Sequence, residues 1–392
     1  MERGLEKRDD KYELHRIGVL DGIRASAVLL VVWYHFWQQS WIIPVTGALN
    51  LDWLVRNGAI AVDMMVLLSG FCLFLPYARN MVYGEKQPSA KDFYIKRAAR
   101  ILPSYYVSLF LILFCFALPL GEYSDLTQMF RDLVPHLLFI HNWFSFSALS
   151  THLNGVLWTV AVLVQFYLIF PLLAKAFQKK PFTTYGCMTA VGLISSFVIS
   201  SRFESINQML FVNHTLTFFC VYANGMLGAW FYVAWTKEHR RTKPEGLFFT
   251  VAALACLWLF KVMCGHRMNY SSDTKWQVDY RFLLSFLFLL FIISTILSLS
   301  WFRFLWDNRF MRFLAQISFN LYICHQYIAV KLKELRIPYW DGEIPPNQLG
   351  DEVWKWKYLL LCIVLSLLVA AAMTYLVEKP VAKWIRRRSV KA

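Results

Sequence analysis

The stretch that decides the fold is IGVLDGIRASAVLLVVWYHFW, residues 17–37. At 1.5 Å rise per residue, about 20 apolar residues cross the hydrocarbon core of a bilayer, and this run is long enough to do so. It nevertheless carries Asp21, Arg24 and His35 inside the span. Ionisable groups cost free energy within a membrane helix and are retained mainly where they face a protein interior or a water-filled cavity. Arg24 and His35 lie eleven residues apart. At about 100° per residue they share one face, about 16 Å apart along the axis. Asp21, three residues before Arg24, is placed to partner it. One helix thus presents a cation near one end and an imidazole much deeper. The plain alternative is an Asp–Arg pair at the interface and a satisfied polar histidine.

The rest of the chain supports a membrane reading. Of 392 residues, 58% are apolar and only 17% charged, which excludes an ordinary soluble globule. Phe, Trp and Tyr make up 17%, as expected for helices with aromatic belts at both interfaces. The net charge of +15 invites a nucleic-acid reading, but its placement argues otherwise. Of the 40 Lys and Arg residues, 27 fall in segments assigned to the cytoplasm, 12 in outside segments, and one is Arg24. That asymmetry is the positive-inside signature, so orientation explains the charge and no nucleic acid is needed. The eight cysteines form no CxxC pair, which speaks against zinc and a disulfide framework, and no metal is expected.

Taken in order, residues 1–16 read as a cytoplasmic tail, residues 17–378 as one transmembrane domain, and residues 379–392 as a basic cytoplasmic tail. Residues 131–150 are apolar but short and broken by Pro135, His136, His141 and Asn142. If they crossed the membrane, every later basic loop would change sides. They are therefore predicted to be re-entrant or interfacial. The fold class is all-α: a polytopic integral membrane protein of about ten transmembrane helices with both termini cytoplasmic. The later spans are predicted at 58–77, 101–120, 156–174, 183–200, 212–234, 246–264, 281–299, 313–330 and 356–377.

Polar residues cluster within or at the ends of several spans: Asp21, Arg24 and His35; Asp63 and Ser69; Arg97 and Arg100; Trp158 and Gln165; Ser318, Tyr322 and His325. Arg97 and Arg100 project from one face at the cytoplasmic mouth of the third span. They form either a fork suited to phosphates or a pair of topology anchors. Ser318, Tyr322 and His325 repeat at helical spacing, which also suits hydrogen bonding between helices.

These residues carry a resemblance. LDGIRASAVLLVVWYHFW (20–37), with Arg and His ten residues between, resembles the opening helix of the membrane-bound acyltransferase 3 family. VDMMVLLSGF (62–71), YIKRAARILPSYY (94–106), NGVLWTVAVLVQFYLIFPLL (154–173), ISFNLYICHQYI (317–328) and VEKPVAKW (377–384) resemble its further motifs in order. The resemblance implies an integral membrane O-acyltransferase. It would move an acyl, typically acetyl, group from cytoplasmic acyl-CoA to a hydroxyl of a carbohydrate or glycan at the outer face of a bacterial plasma membrane. Carried across, His35 matches the catalytic histidine, and Arg24, Arg97 and Arg100 match the arginines linked to acyl-CoA. One departure is clear: Leu163 and Val164 stand where members commonly have glutamate before Gln-Phe-Tyr. Whatever that carboxylate does elsewhere is then absent here or supplied by another group, such as Asp63. No fused soluble domain is expected after Lys391.

The residues suit this chemistry. The phosphates of acyl-CoA belong near Arg97 and Arg100, with the pantetheine arm reaching from Arg24 towards His35. An imidazole is an apt general base for a sugar hydroxyl, and a transient acyl-imidazole is the covalent alternative. Asp63 either orients the ring or pairs with Arg24. Tyr322 or Ser69 would offer a hydrogen bond to the tetrahedral oxyanion. A transporter or exporter of a glycan or lipid-linked intermediate would also need buried charge in about ten helices, and that second reading stays open here.

Overall fold

The structure, a computed structural model, describes residues 17–202, 205–239 and 242–389; the expected tail at 1–16 lies outside them. Ten long helices dominate. They are α1 Gly18–Ser40, α2 Ala61–Tyr83, α3 Ala90–Ile112, α4 Trp158–Lys179, α5 Pro181–Arg202, α6 Phe219–Glu238, α7 Lys243–Met268, α8 Asp273–Leu297, α9 Arg309–Glu334 and α10 Glu352–Ala372. Among the described residues, nine helices are long and apolar enough to cross a membrane. The tenth, α9, has 26 residues, or about 39 Å of helix, but carries too many polar side chains to meet that standard. The chain is therefore an all-α polytopic membrane protein, as the hydropathy pattern predicts.

Local signals set the helix ends. Ser89 accepts from Asp92 N at 3.0 Å to start α3, and Thr242 and Glu245 form a capping box at the start of α7. Gly84, at φ 70°, closes α2 in the left-handed region that favours glycine. Prolines 76, 103 and 171 sit inside α2, α3 and α4, as membrane helices tolerate when neighbours satisfy the freed carbonyls. The expected basic tail from residue 379 is not a separate segment. α10 continues through a wider π-helical turn, Met373–Glu378, into a helix that reaches Ser389.

Small residues let the helices close on each other. A Cβ on Gly225 of α6 would lie 2.2 Å from Leu67 O of α2, and one on Gly70 of α2 would lie 2.6 Å from Tyr222 O of α6. In lipid, where apolar burial between helices adds little, such close backbone approach is what drives association. The α1 seam uses the same device: a Cβ on Gly22 would meet Trp306 O at 2.0 Å, in the turn that leads into α9.

Residues 131–150 do not cross. Their only regular helix of any length, Leu126–Leu137, has 12 residues, about 18 Å against a core of about 30 Å. Asp132 organises the segment. Its Oδ2 accepts from Tyr123 OH at 2.9 Å, Thr151 Oγ1 at 3.1 Å and the backbone N of His152 at 2.9 Å. His136 stacks on His141 at 3.9 Å, and burial pushes both imidazoles below their ordinary range, at His136 in spite of Asp132. A two-stranded hairpin, β1 Val45–Thr46 and β2 Leu49–Asn50, lies on the same face. This upper face is the one at which α1 ends.

This arrangement is open to thiol labelling in a background lacking the exposed Cys115 and Cys187. Cysteines at Thr127 and Ser150 are expected to react from the same side with an impermeant reagent. Cysteines at Lys86 and Lys180 are expected to react only after the membrane is permeabilised. Opposite-side labelling of Thr127 and Ser150 would make residues 131–150 a span.

Candidate active site

Arg24, Arg97 and Arg100 line one cavity of about 120 Å³ at the lower half of the bundle, together with Ser69, Cys72, Tyr167 and Tyr322. Arg97 and Arg100 sit two turns and more inside α3 rather than at its mouth, because the helix begins at Ala90. Among the described residues no carboxylate lines this cavity, although Glu378 acts electrostatically on Arg100 from outside it. Asp21 pairs with Arg24 at 3.4 Å from the side, and Arg24 Nη2 donates to Cys72 Sγ at 3.2 Å. Three guanidiniums around a largely apolar cavity form a site for an anion, since planar forks match phosphate oxygens and are weakly hydrated. Ser69 and Tyr167 share a hydrogen bond of 3.3 Å on the wall.

His35 lies higher on α1 and meets His325 of α9, Nδ1 to Nε2, at 2.9 Å. His325 Nδ1 lies 2.8 Å from Tyr322 O and 3.1 Å from Leu321 O. Carbonyls only accept, so His325 Nδ1 carries the hydrogen. In the neutral ring its Nε2 is then an acceptor, and His35 Nδ1–H donates to it. His35 Nε2 is left with a lone pair. The backbone carbonyls of α9 thus fix two tautomers in series. Along α9, Tyr322 lines the arginine cavity and His325 follows one turn above.

Asp63 does not fulfil either expectation placed on it. It is fully buried and pairs with Arg281 of α8, Oδ1 to Nε, at 3.2 Å, away from both Arg24 and His35. Arg281 is fully buried too and donates to Val212 O and Thr217 Oγ1, each at 2.6 Å, over the ring of Phe218. Two charges taken out of water demand each other, so the pair is a structural tie between α2 and α8. Arg281 escapes the sequence reading because it stands at the edge of an apolar run and looks like its boundary; α8 in fact begins at Asp273.

Gln165 is also structural. Its Nε2 donates to Phe139 O at 2.7 Å and Asn142 Oδ1 at 2.9 Å, and its Oε1 accepts from Trp143 and Thr215. It pins the interfacial segment to α4. Trp158 packs near Phe218 at the start of α4 and does not line the cavity. The structure therefore brings Arg24, Arg97, Arg100, Ser69 and Tyr322 together and joins His35 to His325. Cys72 and Tyr167 belong to the site although neither stood out as a candidate in the sequence; Tyr167 sits in the Gln-Phe-Tyr run, which was the available signal.

Fold and site define a polytopic membrane protein with an arginine-lined cavity below a histidine pair. Comparison with known proteins agrees. The profile of a family described as an acyltransferase domain, acyltransferase 3, matches residues 17–377. The chain belongs to that family. A Staphylococcus aureus (strain COL) protein provisionally named an O-acetyltransferase is 25% identical over 360 residues, covering 86% of this chain and 54% of the relative. The peptidoglycan O-acetyltransferase OatA of Listeria monocytogenes is 28% identical over 207 residues, 48% of this chain and 30% of that protein. The O-acetyltransferase OatA of Staphylococcus aureus (strain NCTC 8325 / PS 47) is 27% identical over 203 residues, 49% and 31% respectively. The chain spans about half the length of the curated relatives that it matches most fully. No solved structure matches it. Apolar helices and bacterial relatives together make it a multi-pass protein of the bacterial cell membrane.

Separating the Asp63–Arg281 tie from the chemistry is direct. Asp63→Asn leaves a buried guanidinium without its counter-charge and is expected to cost roughly 3–5 kcal/mol, read as a lower thermal midpoint in detergent. Because neither residue lines the arginine cavity, the protein that does fold should keep its turnover. A stable Asp63→Asn protein without turnover would return Asp63 to the active site.

Proposed function

We propose that this chain is an O-acyltransferase that takes an acetyl group from acetyl-CoA on the cytoplasmic side and delivers it to a carbohydrate hydroxyl on the other side. The observation that carries this reading is the union of three arginines in one cavity without a carboxylate among its described lining residues, below a histidine whose Nε2 holds a lone pair. Acyl-CoA is multiply anionic and cytoplasmic. The three arginines around the cavity hold its phosphates, and the pantetheine arm runs from there up α1 towards His35. In this orientation both termini are cytoplasmic, in keeping with the basic loops at the lower ends of the helices. The names of the relatives support acetyl as the group transferred and a cell-wall glycan as the acceptor class.

In the proposed reaction His35 Nε2 takes the proton from the acceptor hydroxyl as its oxygen attacks the thioester carbonyl. The C–S bond breaks, the CoA thiolate leaves, and the imidazolium returns the proton to sulfur. His325 is a positioning residue: it receives the His35 Nδ1–H and keeps Nε2 unprotonated. Tyr322 and Ser69, on the cavity wall, would donate to the developing oxyanion. The reading needs no carboxylate at Leu163 or Val164, because a backbone-anchored histidine does the orienting.

General-base assistance is worth about 10²–10⁴ in rate. His35→Gln, which keeps hydrogen bonding without basicity, is accordingly expected to insert normally and lose most transfer of label from acetyl-CoA. Transfer near the wild-type rate would end the assignment. Arg97→Lys and Arg100→Lys keep the charge and remove the fork. Each is expected to raise the donor KM with unchanged membrane insertion; an unchanged KM in both would make them topology anchors.

A further inference from the structure

A second cavity, of about 440 Å³, opens at the upper face around Glu122, His152, Gly155, Gln326, Tyr327 and Lys331. Its volume lies within the range of small-ligand sites, about 300–1,000 Å³. It begins on α9 where the histidine pair ends: Gln326 is the residue after His325. From Phe319 in the arginine cavity to Val330 in this one is eleven residues along α9, or about 16 Å. The two cavities thus lie one above the other along α9, with Tyr322 in the lower, Gln326 in the upper and His325 between them.

The walls are fixed rather than loose. Asn154 Nδ2 donates to Ile323 O at 2.7 Å and clamps the wall to α9, while Asp132 holds Thr151 and His152 from behind. Lys331 bridges Glu122 and Glu334, the latter at 2.7 Å, and lies over the ring of Tyr327. Its ammonium is thereby consumed by two carboxylates. The buried Tyr327 hydroxyl has no hydrogen-bond partner among the described residues. Carboxylate, amide and phenol groups around one opening accept from and donate to hydroxyls; with His152, 3.8 Å from Glu122, in its neutral form, two carboxylates face one ammonium and the surplus negative charge repels acids.

We propose that this cavity is the acceptor subsite and that it takes a neutral, hydroxyl-rich saccharide while rejecting acidic sugars. The proposal rests on the acyl-transfer reading for its role, but its ligand is testable without turnover. The arginine cavity takes the anionic donor; the upper cavity, of opposite charge balance, admits the uncharged acceptor. This division keeps the donor's phosphates from the acceptor side by repulsion.

Binding to the purified full chain in lipid nanodiscs tests it, using N-acetylchitotriose as neutral probe and trigalacturonate as acidic probe. The neutral probe is expected to bind, with the acidic one at least tenfold weaker. A Cβ on Gly155 meets only Gln326 Oε1, at 3.8 Å, so Gly155→Leu fits the backbone and fills the cavity. It should weaken the neutral probe at least tenfold and leave CoA binding within twofold. Gln326→Ala, read in the same way, serves if Gly155→Leu does not fold. Wild-type protein that binds neither probe, or the acid as well as the neutral one, overturns the proposal, as does unchanged binding in the folded variant. Loss of acetyl transfer or CoA binding by the wild type would instead strike the acyl-transfer reading.

Discussion

The seam between α1 and α9 is the contact on which the site depends. At its lower end Gly22 brings α1 against the backbone of Trp306, and at its upper end His35 reaches His325. In a bilayer this approach gains no hydrophobic free energy from water, so it rests on van der Waals contact and hydrogen bonds. A larger residue at Gly22 would hold the helices apart and separate the two imidazoles. The seam also aligns the cavities, because α9 lines one below the histidines and the other above.

The protein treats its buried charges in two ways. Asp63 and Arg281 are compensated, fully enclosed and tied to backbone and hydroxyl groups around them. Arg24, Arg97 and Arg100 share a cavity with no carboxylate among its described lining residues, while Asp21 and Glu378 act on Arg24 and Arg100 from outside it. A low-dielectric interior strengthens charge interactions, so the first arrangement holds helices together and the second leaves positive potential for a ligand. The histidine pair belongs to neither: it is a chain of neutral groups whose direction is fixed by two carbonyls of α9.

The interfacial segment links these parts. Gln165 holds it from α4 and Asp132 from within, so that Thr151 and His152 form a wall of the upper cavity. A short amphipathic helix with Pro135 and His136 looks like a failed span in sequence, yet Asp132 Oδ2 and the Phe139 carbonyl are bonded inside protein, and non-spanning backbone is tolerated at depth where it is buried in this way.

Much was legible in the residues themselves. Hydropathy, basic-loop parity and the spacing of Arg24 and His35 determine an all-α membrane bundle, a non-crossing segment at 131–150, and a polar face on α1. Those features depend on period and composition, which are local. The partners of buried polar groups are not local. Nothing near Asp63 in the chain marks Arg281, and nothing near His35 marks His325; even the starts of α3 and α8 lie earlier than an apolar run suggests, because arginines within them are satisfied by other helices or line a cavity. Tertiary packing alone decided that Asp63 pairs with Arg281, that His35 meets a second histidine, and that one cavity lies below that histidine pair and another above it. The physical reason is that a charge in a low-dielectric interior is stabilised by whatever lies within a few ångströms, and that neighbourhood is set by packing rather than by sequence distance.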